Sequence, residues 1–533
     1  MTTQPNTKTE NLSLEQALNL ALNLHGKGDL LQAQDVYQRI LKAQPDQPDA
    51  LHLLGVISFQ EGETEIAIKR IRDALSAKPH FAEAHSNLGN ILRETGQYNE
   101  AILHLQKAVS INPDFADAHN NLGACLHALK RFDDAASSYK TAFTIKPDFS
   151  EAYYNFGNTM RELGIVEEAI IHYRKTLSIS PDYAEAHFTL GNVMRELGKL
   201  NEAVEHYEKA IAIVPDYVEA LNMLGATRLA QGRLAEALSS FKKVAGIDPD
   251  FPVHFNIGTT LQGLGQFKEA ISSYGRVNSP NSRAKSLECL YALERYKDFY
   301  LGLEELSLVD KKNLRVAAIS AFVSQQLNRS DPYPFCPQPM KFIRLFKCLS
   351  EKTKNTNFDQ QLANLLKKRT MAWEPAGNTT IKGFQSPSDL FVQPGQLLSD
   401  LEKMIRAKIE GYRSEFHGAD CQFIKLMPKN FALRGWVVRL LKGGHQVEHI
   451  HSDGWLSGVY YVQVPKFDSE EEGSIEFGLW GYDYPILDKN YPRKRLIPET
   501  SNLVLFPSSL FHRTIPFQAA EERICIAFDL VPD

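Results

Sequence analysis

Residues 82–115 read AEAHSNLGNILRETGQYNEAILHLQKAVSINPDF, and residues 116–149 read ADAHNNLGACLHALKRFDDAASSYKTAFTIKPDF. Laid one over the other, they share a glycine, an alanine and a proline at an offset of 34 residues. The offset runs well beyond this pair. Gly55, Gly89, Gly123, Gly157, Gly191 and Gly225 hold one column, and Ala33, Ala67, Ala101, Ala135, Ala169, Ala203 and Ala237 a second. Pro45, Pro79, Pro113, Pro147, Pro181, Pro215 and Pro249 hold a third. Three independent columns with one period mark a repeat array, and that decides the fold of this half of the chain.

The columns have a simple physical origin. Small residues sit where two antiparallel helices touch, because only they let the backbones approach. Proline follows the second helix, which it cannot continue. Each unit therefore reads as a helical hairpin, and the pattern resembles the tetratricopeptide repeat. From about Leu12 there are eight units, the last one residue short because Gly258 follows Gly225 by 33, ending near Val277. A lone hairpin cannot bury its apolar face, so the expectation for 12–278 is an all-α solenoid with a concave binding surface.

Within it, Asn87, Asn121, Asn155 and Asn256 fall at one position of the first helix, in the strings HSNLGN, HNNLGA, YYNFGN and HFNIGT. A column of amides can hydrogen-bond an extended peptide backbone in both directions, which makes these four the candidate partner-binding residues for a protein or peptide. Similar asparagine ladders occur in the repeats of O-linked N-acetylglucosamine transferase, which this stretch resembles. The competing reading, that the amides pack between adjacent repeats, stays open, since Thr189 and Met223 interrupt the column. The histidines of the array, among them His52, His85, His104, His172, His187 and His206, read as helix-surface residues.

The chain has 533 residues, too many for one core, and its 43% hydrophobic and 23% charged residues are ordinary for globular protein. A formal net charge of -5 removes the basic footprint expected of a nucleic-acid binder. Six cysteines without a CxxC pair argue against a disulfide framework and against a cysteine zinc site. The polar start MTTQPNTKTENLS has no leader-like apolar run, and no stretch approaches a membrane span. The expectation is a cytoplasmic protein; oligomeric state is not legible.

Beyond the columns, 279–330 keeps helical spacing without the glycines and prolines and reads as degenerate capping helices. It ends in a linker, NRSDPYPFCPQPM, with four prolines in thirteen residues. MKFIRLFKCLSEKTK and LLSDLEKMIRAKIEGYRSEF then carry the i, i+3, i+4 pattern of amphipathic helices. From about Ala432 short apolar runs broken by glycine, proline and charge predict an antiparallel jelly-roll, a double-stranded β-helix with flanking helices, over 331–533 with its β core at about 432–533.

That last part carries the candidate chemistry. In HIHSDGWLSGVYYV, residues 449–462, His449, His451 and Asp453 stand two apart, and residues two apart on an extended strand share a face. His512, in FPSSLFHRTIP, can supply a further ligand, and two imidazoles with a third group on one octahedral face match the non-haem iron(II) oxygenases. Arg523, eleven residues later, opens an apolar strand that otherwise asks for no charge. A guanidinium there suits a bound carboxylate.

The strings WVVRLLKGGHQVEHIHSDGWLSGVYYVQVP, GSIEFG and LVLFPSSLFHRTIPFQAAEERICIAF resemble the 2-oxoglutarate- and iron(II)-dependent oxygenases, distantly similar to prolyl 4-hydroxylases. The family pattern is H-x-H, LSGVYY, FPS-x-x-x-H and an arginine. The resemblance implies Fe(II), 2-oxoglutarate and O2, with His449, His451 and His512 as metal ligands and Arg523 as the anchor of the cosubstrate. It also implies Tyr461 beside that anchor, by analogy with a tyrosine of the prolyl hydroxylases. His451-x-Asp453 also satisfies the wider superfamily's His-x-Asp spacing, so four ligands are offered for three places. His449 fits the distance to LSGVYY, and Asp453 is the carboxylate if one is needed. EEEG at 470–473 and KNYPRKR read as solvated surface. The expected function is a dioxygenase, a hydroxylase, whose repeats bind a protein partner or substrate. The alternatives are a non-catalytic interaction scaffold with a degenerate jelly-roll, or an oxygenase of small molecules or glycans that uses its repeats for assembly.

Overall fold

A computed structural model of the chain describes residues 12–348, 357–369, 371–374, 379–386, 389–392, 394–467, 469 and 471–532. The chain divides into two compact units, Met1–Thr227 and Arg228–Asp533, with the division inside the helix Val218–Ala230.

The first unit is built of antiparallel helix pairs, from Leu14–Gly26 with Leu30–Ala43 to Ala184–Glu196 with Leu200–Ile213. The alanine column is fully buried from Ala33 to Ala203. The glycine column packs against a side chain of the partner helix. A Cβ at Gly157 would lie 2.7 Å from Tyr173 Cε1, and one at Gly191 the same distance from Tyr207 Cε1. Glycine is required here by contact, not by backbone angle.

A second glycine column, not read from the sequence, closes the turn inside each pair. Gly28, Gly62, Gly96, Gly164 and Gly198 have φ between 75° and 84° in open space, the left-handed stop that ends a helix. In the fourth pair Lys130 holds that place at φ 59°. A side chain costs about 1 kcal/mol in this region, so Lys130→Gly raises the stability of this unit by about 0.5–1 kcal/mol in urea unfolding.

His52, His85 and His187 are buried, which corrects the surface reading of these histidines. His85 Nδ1 meets His104 Nδ1 at 2.9 Å while its Nε2 reaches Pro79 O at 3.1 Å, and His187 repeats both contacts with His206 and Pro181. These rings tie the two helices of a hairpin to the preceding turn, a role their sequence spacing hides.

The second unit begins with helices to Leu314–Gln326, including His254–Gly263 with Phe267–Gly275, where Gly258 packs on Tyr274 as in the other repeats. It continues into a region that, among the described residues, holds ten strands. We number them β1 Arg344–Lys347, β2 Ala372–Trp373, β3 Thr380–Gln385, β4 Phe431–Gln446, β5 Leu456–Gln463, β6 Ile475–Gly478, β7 Arg493–Leu496, β8 Asn502–Pro507, β9 Phe511–Thr514 and β10 Arg523–Pro532. All pair antiparallel, in a seven-stranded sheet β1-β8-β5-β10-β4-β3-β2 and a three-stranded sheet β7-β6-β9. The inner faces meet at Phe477 of β6 and Phe506 of β8, with ring centroids 4.9 Å apart. This is a jelly-roll arrangement.

The large sheet is covered on its other face too. Tyr460 donates to Asp359 Oδ1 of the helix Phe358–Lys367 at 2.7 Å, while its neighbour Tyr461 points inward. β5 is therefore buried along almost its whole length and reads as a continuous apolar run.

Three expectations need correction. The stretch from Met340 is not an amphipathic helix: Pro339–Phe342 is one 3-10 turn and β1 follows, while 349–354 lies outside the described residues. The sheet starts before Ala432, because β1 to β3 join its edges. The proline-rich segment is not a free linker either. Tyr333, Phe335 and Cys336 are buried in the core of this unit, and Tyr333 OH receives the Asn313 backbone N–H at 2.8 Å. The preceding helices are bound as well: Gln326 Oε1 accepts from Leu487 N and Asp488 N at 2.7 and 2.8 Å, and Tyr291 OH donates to Pro485 O at 2.8 Å. Aromatic side chains fix this segment although its prolines suggest a hinge.

Candidate metal centre

His512 stands on β9 directly opposite Phe477 of β6, so both rings point between the two sheets. His449 lies just beyond β4 and forms an antiparallel bridge with His512. His449 N donates to His512 O at 3.2 Å, and His512 N donates to His449 O at 3.1 Å. His451 follows two residues on, its own N–H held by Ser508 O at 3.0 Å. Ring centroids lie 4.3 Å apart for His449 and His512, 5.0 Å for His451 and His512, and 5.2 Å for His449 and His451. One ligand nitrogen from each falls within 4.8 Å of the others.

The hydrogen bonds fix which nitrogen is free. His449 Nδ1 donates to Val447 O at 2.7 Å and His512 Nδ1 donates to Leu510 O at 3.2 Å. Carbonyls only accept, so both protons sit on Nδ1 and both Nε2 atoms carry lone pairs. His451 Nδ1 meets the carboxylate Asp529 Oδ1 at 2.6 Å, which leaves its Nε2 a lone pair as well. His449 Nε2 and His451 Nε2 then face each other at 3.3 Å with no proton between them. Acceptors aimed at one another repel unless a cation lies among them. Desolvation, with the neighbouring imidazole of His451, holds the His449 pKa down to about 3, and desolvation takes His512 well below its ordinary value. Neutral imidazoles are the form that binds metal.

Asp453 does not join them. The chain turns at Ser452–Asp453, which ends the alternation that would have brought its side chain round, and Asp453 is exposed. The cluster among the described residues is His449, His451 and His512 alone.

Arg523 opens β10 and is 1% exposed. Its Nε and Nη1 have no hydrogen-bond partner among the described residues, nor does the hydroxyl of the buried Tyr461. The guanidinium lies 4.9 Å from the centroid of the Tyr461 ring. Burial pushes the Tyr461 pKa up to about 12, with Arg523 opposing it. A buried guanidinium with no carboxylate and a buried phenol with no acceptor make a site for an anion with oxygen acceptors. These residues fit a divalent ion at the histidines and a dicarboxylate reaching towards the arginine.

Sequence reasoning missed Asp529, on the same face of β10 as Arg523. Its Oδ1 also accepts from Ser457 Oγ at 2.6 Å, and Ser457 Oγ meets Ser508 Oγ at 2.8 Å. A Cβ at Gly454 would come within 2.8 Å of Asp529 Cγ, so that glycine is what lets the loop close over the carboxylate. The legible signal was an acid inside the apolar run RICIAFDLV.

Of the candidate partner-binding amides, Asn87 Nδ2 meets His52 Nε2 at 2.8 Å and Asn155 Nδ2 donates to Asn120 Oδ1 at 3.2 Å, each across to the preceding repeat. Asn121 and Asn256 are half-buried. Packing between repeats therefore uses part of this column.

Residues 434–529, the stretch that holds every residue of this centre, match the family model described as "Putative 2OG-Fe(II) oxygenase". Tetratricopeptide models match 18–65, 89–130, 116–149, 157–195, 191–232 and 218–251. The chain joins tetratricopeptide repeats to a C-terminal domain of that oxygenase family. A search of curated proteins finds no match. Among solved structures, MamA is 27% identical over 33% of this chain and 99% of its own, with a TM-score of 0.29. YrrB, described as a TPR protein with an unusual peptide-binding site, is 19% identical over 34% and 94%, with a TM-score of 0.30. PilF of Pseudomonas aeruginosa is 19% identical over 39% and 94%, with a TM-score of 0.36. No helix among the described residues is long and apolar enough to cross a membrane.

Proposed function

We propose that the C-terminal domain is a 2-oxoglutarate- and Fe(II)-dependent dioxygenase that hydroxylates its substrate, and that the repeats hold a protein or peptide partner or substrate for it. The observation that carries this reading is the pairing of three convergent imidazole lone pairs with a buried guanidinium, two of whose nitrogens have no partner among the described residues, on the same jelly-roll. Fe(II) with 2-oxoglutarate and O2 supplies C–H hydroxylation, a chemistry that belongs to the cofactor.

The chain's own residues bind and orient. His449, His451 and His512 would hold the ion, with their Nδ1 protons engaged elsewhere so that the rings keep their orientation. Arg523 and Tyr461 would take the far carboxylate of 2-oxoglutarate, and their burial would make a charge-assisted bond strong. Phe477 and Phe506 pack against the His512 ring, their centroids 6.2 and 4.6 Å from its own, and would help to keep water from an ion held there. Tetratricopeptide arrays bind extended chain along one surface, and the polypeptide substrate is argued from that adjacency.

Release of succinate from 2-oxoglutarate by the purified chain with Fe(II), measured with and without added peptide fractions, tests the reading. Turnover that rises with peptide and not with metabolites is expected; no ferrous uptake and no succinate would leave a helical docking protein.

A further inference from the structure

Among the described residues, the candidate ligands of this centre include no carboxylate. A divalent ion held by two imidazoles and a carboxylate keeps one positive charge, whereas one held by three neutral imidazoles keeps two, and an arrangement without the carboxylate gives up much of the attraction that retains a weakly binding ion. The fold supplies a carboxylate one bond further out. Asp529 is 8% exposed, lies near the C-terminal end of the buried run of β10, and meets His451 Nδ1 at 2.6 Å. Ser457, itself held by Ser508, donates to the same oxygen, and the glycine at 454 lets the loop bearing His451 pack directly on it. Ser457 is 0% exposed, as is Ser508, so this is a built arrangement and not a surface pair. Neither His449 nor His512 has such a partner: their Nδ1 atoms end on backbone carbonyls.

We infer that Asp529, acting through His451, is the positioning residue that supplies the negative charge which the three-histidine set lacks, and that it sets the affinity of the centre for its metal ion. The inference rests on the proposed function in requiring that the centre bind a divalent ion. A hydrogen-bonded carboxylate raises the basicity of the imidazole it orients and fixes the ring towards the ion, and loss of such a partner typically weakens metal binding about 10–100-fold. His451 thereby takes the place that a carboxylate ligand holds in the two-histidine centre, and Asp453, exposed on the neighbouring turn, has no part in it.

The test is anaerobic titration of the apo-protein with Fe(II), and with Co(II) read by its visible absorption, in competition with a chelator. Asp529→Asn, which keeps size and removes charge, is expected to weaken both ions about 10–100-fold and to alter the Co(II) band, with the thermal midpoint of the apo-protein unchanged. Ser457→Ala, which leaves Asp529 in place but unoriented, moves affinity the same way by less, and carries the test should Asp529→Asn not fold. Asp453→Asn leaves affinity alone. Wild-type affinity in a folded Asp529→Asn, or in Ser457→Ala where that variant carries the test, overturns the inference while the metal centre stands. Failure of the wild-type chain to take up either ion overturns the proposed function itself, and this inference with it.

Discussion

His512→Ala loses specific ferrous uptake and, with it, all release of succinate from 2-oxoglutarate. The reason is geometric. His512 is one of three rings whose free nitrogens share a single point, and it is the one that comes from the far side of the jelly-roll. Removing an outer partner of a ligand costs about 10–100-fold in metal affinity, and removing a ligand outright costs more. The main-chain bridge between His449 and His512 survives the change, because it uses only backbone atoms. The fold is therefore kept, at a cost of about 1–3 kcal/mol for the vacated volume beside Phe506. Chelator competition and a thermal melt on one sample separate the two effects. Retained ferrous affinity in a folded His512→Ala would place the metal elsewhere.

Arg523→Met has the second large effect, with opposite signs in two assays. In the free protein the guanidinium is buried with two of its nitrogens unpartnered, a state that costs about 1–3 kcal/mol for unmade bonds and more for a desolvated charge. An isosteric apolar side chain removes that cost, so the apo-protein melts at the same temperature or higher. Affinity for 2-oxoglutarate falls by about 2–5 kcal/mol, because the far carboxylate then enters a pocket with no cation. That is on the order of 30- to 5,000-fold in Kd. Isothermal titration with the metal in place reads the second effect and calorimetry the first. A lower melting temperature together with undiminished 2-oxoglutarate binding would make Arg523 a structural residue.

How much of this was legible in the sequence depends on whether a signal repeats or is spatial. The hairpins were readable because the glycine and alanine columns recur at 34 residues, and one contact explains each column. The turn glycines recur just as regularly, but Lys130 breaks their column and hid it. His449, His451 and His512 were readable as candidates because two lie on alternate positions and the third ends an apolar run. Asp453 was not separable from them: the chain turns at Ser452–Asp453 where His451 N is held by Ser508 O, a partner more than fifty residues away in sequence. Asp529 lies 78 residues from the ring it serves. The proline-rich segment misled for the opposite reason, since its composition speaks of a hinge while Tyr333 and Phe335 bury it.

The paired main-chain bonds that clasp residues 449 and 512 have one more consequence. Because main-chain bonds, and not the ion, set the spacing of residues 449 and 512, folding of this domain is expected to need the ion less than that of a zinc finger, which collapses around its ion. A cup of nitrogen ligands follows the general order of first-row affinities, in which copper and zinc outrank iron. On the proposed function, loading with ferrous ion would then depend on cellular supply, and zinc in the same cup is the expected inhibitor.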